Sequence, residues 1–163
     1  MAVEHWLLST LAEAAKGRQE WNTHGVALLP LGGLFSAVRL PGRLVLAVAG
    51  ERSLPSRDLD DFLREAFDEG PVICDPRHER YYALVPPTMP ETWHQAADDW
   101  RAMDVDCLGR STLLGVPSLT EIEPRAFASY WSVPMPSAAM LCRPLTVARF
   151  IAAGRHRLGA DDA

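Results

Sequence analysis

The sequence lacks a membrane-length apolar run, the basic start of a signal peptide and enough cysteine for a disulfide scaffold. No apolar run approaches the roughly 18 residues that a membrane-spanning helix needs. Acidic Glu4 and Glu13 stand where a signal peptide would carry bases, so we expect neither insertion nor export. Three cysteines cannot all pair within one chain, and we expect them to persist as thiols in a reducing compartment, the cytoplasm.

An excess of positive charge is also absent. The chain has 21 acids and 16 bases, a formal net charge of -5, and Lys16 is its only lysine. A general nucleic-acid binder relies on bulk positive charge to attract phosphates, so any nucleic-acid site must be local. A chain of 163 residues that is 48% hydrophobic is long enough to bury the core of one domain. We therefore expect a single domain over residues 1–158 and a frayed tail at 159–163.

Apolar periodicity and turn residues predict about four helices and six or seven strands. The clearest helix carries Leu59, Phe62, Leu63 and Phe67 at helical spacing, with acids opposite them and Gly70 at its end. The other predicted helices cover residues 5–15, the segment that follows a capping box at Thr88–Glu91, and the segment that begins at 144. The predicted strands cover residues 26–29, 34–40, 44–48, 71–74, 80–85, 111–116 and 130–133.

The order of these elements does not follow strict strand–helix alternation. It favours an α+β fold with a largely antiparallel or mixed sheet. No internal repeat, low-complexity tract or linker interrupts the chain.

Nucleophile and phosphate-loop motifs are missing as well. The chain has no Gly-x-Ser-x-Gly elbow, and Gly32-Gly33 lacks the Lys-Ser/Thr ending of a phosphate loop. Cys74 and His78 lie four residues apart, but structural zinc normally uses two close ligand pairs. A buried cysteine and a surface histidine are the favoured roles.

Two aspartates, at positions 104 and 106, lie two residues apart ahead of a predicted strand. Asp104 and Asp106 would point to the same side of an extended strand and could share a divalent cation. The alternative, a solvated acidic loop ahead of a strand, is favoured because no third acid stands at a fixed distance.

Five segments, taken in order, resemble the N-terminal prim-pol domain of bifunctional DNA primase/polymerases, and more closely its small stand-alone actinobacterial relatives. The segments are residues 25–29, 34–41, 80–86, 106–118 and 130–131. The resemblance covers about residues 5–153. It implies an α/β fold with an RRM-like sheet and a nucleotide-polymerising site built from metal-bound acids.

The chain departs from that family at the positions that would bind metal. The family has an Asp-x-Asp pair where this chain has Ser36–Arg39 with no carboxylate, and a histidine where this chain has Arg80. His78 lies two positions early, and only Asp106 remains in register. One carboxylate cannot offset the charge of two metal ions, so we expect no catalytic residues and no metal or other cofactor.

The leading hypothesis is therefore a catalytically degenerate prim-pol-like domain that binds a nucleotide or single-stranded DNA, or has a regulatory role. Arg39, Arg80 and His78 are its candidate anion-binding residues, and Asp104 and Asp106 its candidate residual acids. Arginine suits phosphate because of its planar, bidentate donors, although each arginine could instead pair with a nearby surface acid.

Two other functions stay open. One is an active Mg- or Mn-dependent nucleotidyltransferase with a rearranged acid set of Asp75, Asp104 and Asp106. The other is a protein-interaction domain without nucleotide contact. None of the three involves a membrane.

Overall fold

The computed structural model describes the backbone of residues 2–162 and the side chains of residues 2–159. Within these residues the chain forms seven α-helices: α1 (Ala2–Leu8), α2 (Ala14–His24), α3 (Gly42–Ala49), α4 (Arg57–Ala66), α5 (Met89–Thr92), α6 (His94–Trp100) and α7 (Pro144–Asp162). It also forms seven strands: β1 (Val26–Pro30), β2 (Ser36–Pro41), β3 (Val72–Asp75), β4 (Arg80–Val85), β5 (Asp106–Leu108), β6 (Leu113–Pro117) and β7 (Tyr130–Val133). Short 3-10 turns cover Pro76–His78 and Arg101–Met103.

The strands make two antiparallel sheets. Five of them are ordered β5-β2-β4-β3-β7, and β1 pairs with β6 in a separate two-stranded ribbon. The α+β class with antiparallel sheets is therefore confirmed. From β2 to β5 the element order and the strand order β5-β2-β4-β3 give the split βαβ arrangement, which an RRM-like sheet also has. The relation to prim-pol domains stays a prediction.

Both faces of the five-stranded sheet are covered. Because side chains alternate along a strand, Val38 and Leu40 of β2 join one buried cluster with α3, α4 and α7. Ala37 of the same strand joins a second cluster with Trp21 of α2, Leu29 of β1 and Val116 of β6. The sheet is thus the middle layer between the helices and the β1–β6 ribbon.

The N-terminal helix differs from its predicted bounds of residues 5–15. Two helices replace it, because α1 ends at Leu8 and α2 begins at Ala14. Gly17, predicted to end the helix, lies inside α2, where an added Cβ would be 2.3 Å from Leu8 Cδ2. Glycine at this position permits the close approach of α1 and α2.

The strand predicted over residues 44–48 is wrong, because these residues belong to α3. A short apolar run cannot be distinguished from a buried helix by periodicity. Packing against α7 favours the helix over the strand. An added Cβ at Gly154 of α7 would be 2.6 Å from Leu44 Cγ, so α3 lies closely against α7.

The helix count rises from about four to seven for these reasons and because α5 and α6 divide at Trp93.

The capping box is wrong too: the Thr88 side chain makes no cap hydrogen bond, and its backbone is helical. The backbone of α7 continues to Asp162 and so includes most of the segment predicted as a tail. Ala163 lies outside the described residues.

A carboxylate of α4 is buried, although the sequence pattern places the acids of this helix opposite its apolar face. Asp60 is 7% exposed and lies against β7, where Ser132 Oγ donates to Oδ1 at 2.7 Å and Tyr130 Oη lies 3.0 Å from both oxygens. Burial raises the pKa of Asp60 from 3.8 to about 6, and the two hydrogen bonds partly oppose that rise. Burial likewise raises the pKa of the neighbouring Cys74 thiol to about 12.

We expect Asp60 to make folding more favourable at acidic pH. A carboxyl with a higher pKa in the folded than in the unfolded state stabilises the fold fully below about pH 3.8, and this stabilisation is lost as the pH rises through about 6. At about 1.4 kcal/mol per pH unit, the gain has an upper limit of about 3 kcal/mol. Urea unfolding of wild type and Asp60→Asn at pH 7.5, 6.0 and 4.5 measures it as the difference between the two pH profiles.

Asp58→Asn, at an exposed position of the same helix, is the control for the loss of one carboxylate. Parallel profiles for wild type and Asp60→Asn would contradict the assignment.

Candidate functional site

The register between the two central strands brings two predicted residues together. In the antiparallel pair of β2 and β4, Arg39 is opposite Tyr82 and Pro41 is opposite Arg80. Opposite residues share a face, and so do residues two apart along a strand. Arg39 and Arg80 are therefore diagonal neighbours on one face, at a Cα separation of about 7–8 Å that long side chains can bridge.

A cleft of about 360 Å³ opens at this end of β2. Four of the predicted residues line it: Arg39, Arg80, His78 and Asp104. Arg43 and Glu79 add two further charges to its wall. The fifth predicted residue, Asp106, reaches the site from β5, where it is opposite Arg39.

Close packing of two backbones shapes the floor of the cleft. Gly42, the first residue of α3, donates its amide to the Glu79 carbonyl at 2.7 Å. An added Cβ at Gly42 would be 2.9 Å from that oxygen and 2.6 Å from Leu54 Cδ2. The Glu79 backbone has a left-handed φ of 53°. Glycine at position 42 thus lets the turn before β4 meet the start of α3.

Acids of the segment 104–106 neutralise two of the three cleft arginines. Arg39 Nη2 donates to Asp106 Oδ2, and these side chains are 28% and 33% exposed. Arg43 Nη2 donates to Asp104 Oδ2 at 2.9 Å. For Arg39, pairing with a neighbouring acid is therefore observed.

Arg80 differs from Arg39 and Arg43 because it has no ion pair among the described residues; like Arg43, it is exposed. Asp75 is opposite Arg80 in the β3–β4 pair. The Asp75 carboxylate accepts from the His78 amide, and its Oδ2 lies 2.9 Å from His78 Nδ1. His78 itself lies in the 3-10 turn that precedes β4, and from there it lines the cleft.

The residues considered as metal ligands are not grouped. Within the described residues there is no cluster of three or more His, Cys, Asp or Glu side chains able to hold an ion. Cys74 is buried in the core, whereas the His78 side chain is 60% exposed. Asp104 and Asp106 do not share a strand: Asp104 precedes β5 with a left-handed φ of 61°.

Arg43 and Glu79 are the site residues that sequence reasoning missed. Arg43 was missed because the apolar residues after it are predicted to form a strand. In the structure they belong to the helix α3, which places Arg43 in the cleft wall. The contact of Glu79 with Gly42 joins positions far apart in the chain and has no local signal.

None of the helices in the described part of the chain combines the length and the apolarity required to cross a bilayer. Comparison of the chain with protein-family models, with curated proteins and with solved structures found no match.

Replacing Gly42 with alanine should destabilise the protein by about 1–3 kcal/mol, the usual effect of overpacking. The added methyl group must displace the Glu79 carbonyl or the Leu54 side chain. Gly33→Ala is the matched control, because nothing lies within 4 Å of an added Cβ there. Urea unfolding of both variants measures the effect, and equal stabilities would contradict the close contact.

Proposed function

We propose that this chain is a binding module whose cleft holds the phosphate groups of a nucleotide or of single-stranded DNA. The observation that carries the proposal is the convergence of Arg39, Arg43 and Arg80 in one cleft of a chain with a net charge of -5. Three guanidiniums at one place are unexpected from the acidic composition. Two of them pair with Asp104 and Asp106, and Arg80, which has no ion pair among the described residues, is the guanidinium open to an incoming anion.

The chemistry of the cleft suits phosphate. A guanidinium presents paired N–H donors that match two phosphate oxygens, and it stays charged at all physiological pH values. Arg80 has no ion pair among the described residues and lies on the same face as Arg39. A phosphate bound first by Arg80 therefore lies within reach of a second guanidinium.

We further infer that the module is a degenerate prim-pol-like domain without polymerase activity, located in the cytoplasm. Arg39 lies on the strand that carries the metal-binding acids in the resembling family, and Arg80 stands in place of its histidine. Cations in place of metal-binding groups would convert a cation site into an anion site. The three cysteines of the chain are free thiols, which agrees with a reducing compartment.

A protein-interaction domain is the second candidate, favoured by the outer face of the β1–β6 ribbon. Leu28 and Leu113 are 52% and 59% exposed. They are diagonal neighbours on that face, because Leu28 is opposite Gly115 and Leu113 is opposite Pro30. Exposed apolar groups grouped in this way are typical of a docking surface.

Substitution of either Arg39 or Arg80 by glutamine should weaken binding of ATP and of a short oligothymidine about tenfold, the effect of losing roughly 1.4 kcal/mol of charge-assisted hydrogen bonding. The melting temperature should hardly change, because both side chains reach solvent. Fluorescence anisotropy at several salt concentrations provides the affinities, and each lost phosphate contact should lower the salt slope for the oligonucleotide by about 0.7.

Arg18→Gln is the control for the loss of one charge, since Arg18 lies on α2 and pairs with Glu4 at 3.8 Å, outside the cleft. Wild-type protein without salt-sensitive binding of either probe would contradict the proposal and favour the protein-interaction candidate.

Divalent metal should bind only in the millimolar range or not at all, because Ser36–Arg39 supplies no carboxylate. Calorimetric titration with magnesium and manganese measures this affinity, and a primer-extension assay with either ion should give no product. Micromolar binding, or extension that is lost in Asp106→Ala, would favour the nucleotidyltransferase alternative.

A further inference from the structure

The two acids that hold the cleft arginines belong to one three-residue segment. Asp104 Oδ2 accepts from Arg43 and Asp106 Oδ2 accepts from Arg39. In the observed structure, two of the three guanidiniums that would bind phosphate are therefore already neutralised by carboxylates of the same chain.

The backbone of this segment is fixed, whereas its acidic side chains are accessible. Val105 lies between the two aspartates, is fully buried and donates its amide to the Trp100 carbonyl at 3.2 Å. The Asp104 side chain is 70% exposed and that of Asp106 is 33% exposed. An incoming anion can therefore displace the carboxylates by rotating their side chains, without moving the strand.

How easily an anion displaces the two carboxylates depends on the strength of their ion pairs with the arginines. The Arg43–Asp104 pair is exposed, and such pairs stabilise a protein only slightly. The Arg39–Asp106 pair is partly buried, but both of its side chains still reach solvent, so a multiply charged phosphate can compete for either arginine. A tethered carboxylate nevertheless competes with every free anion, because its effective concentration at the arginine is high. A free carboxylate carries the same single negative charge as the aspartate and so has no advantage over it. A phosphate group carries more negative charge and therefore competes better for the arginine.

We propose that Asp104 and Asp106 are an autoinhibitory clamp that lowers the affinity of the cleft for anions and restricts it to multiply charged phosphates. This inference rests on the proposed phosphate site. In the clamp, Arg80 makes the first contact with the ligand, and Arg39 and Arg43 are released to it as the two carboxylates rotate away.

Calorimetric titration of the full chain with inorganic pyrophosphate tests the clamp. The variants are Asp104→Asn, Asp106→Asn and the double substitution, each of which preserves side-chain shape. Asparagine also tolerates the left-handed backbone of position 104, so that variant should fold even if the other does not. Asp98→Asn is the control of equal charge change, because Asp98 pairs with Arg101 at 3.8 Å and lies outside the cleft lining.

We expect each single substitution to raise the affinity for pyrophosphate about twofold to fivefold, the double substitution to raise it further, and the control to leave it unchanged. Binding that appears only in the asparagine variants would also support the clamp. Affinities equal to or below that of wild type, with binding still weakened in Arg80→Gln, would overturn the clamp and leave the phosphate site intact. Absence of binding in every variant would overturn both.

Discussion

The pairing of β2 with β4 determines where the charges of the cleft lie. These are the two central strands of the split βαβ portion of the sheet, and their register places Arg39 and Arg80 on one face. A slip of one residue would turn one of the two arginines toward the opposite face, where Val38 and Tyr81 are packed in the helical core. The same apolar alternation that fixes the core therefore also fixes the geometry of the site.

The layers on either side of the sheet confine the site to one end. The β1–β6 ribbon and α2 cover the middle of the face that carries Arg39, through contacts that include Ala37 and Trp131. In the described part of the chain both faces of the sheet are covered by packed side chains, and the charged cleft lies where β2 gives way to α3. The buried Asp60 belongs to the other side of the sheet and contributes to its stability, not to the cleft.

The sequence was sufficient for the fold class, because alternation and turn residues are local signals that mark most of the strands. It was not sufficient for α3, whose apolar run fits a strand or a buried helix until its contact with α7 decides. The same limit applies to the site. Arg39 and Arg80 were found through a family resemblance, whereas Arg43, Glu79 and the pairing of Asp106 with Arg39 depend on contacts between distant parts of the chain.

A double-mutant cycle for ATP binding measures whether Arg39 and Arg80 act on one ligand. Residues that share a ligand show interaction energies of about 0.5–3 kcal/mol, whereas independent sites add to within about 0.5 kcal/mol. If both arginines contact the same phosphate groups, Arg39→Gln should weaken binding much less in the Arg80→Gln background than in wild type. Losses that simply add would show that the two arginines do not form a common site.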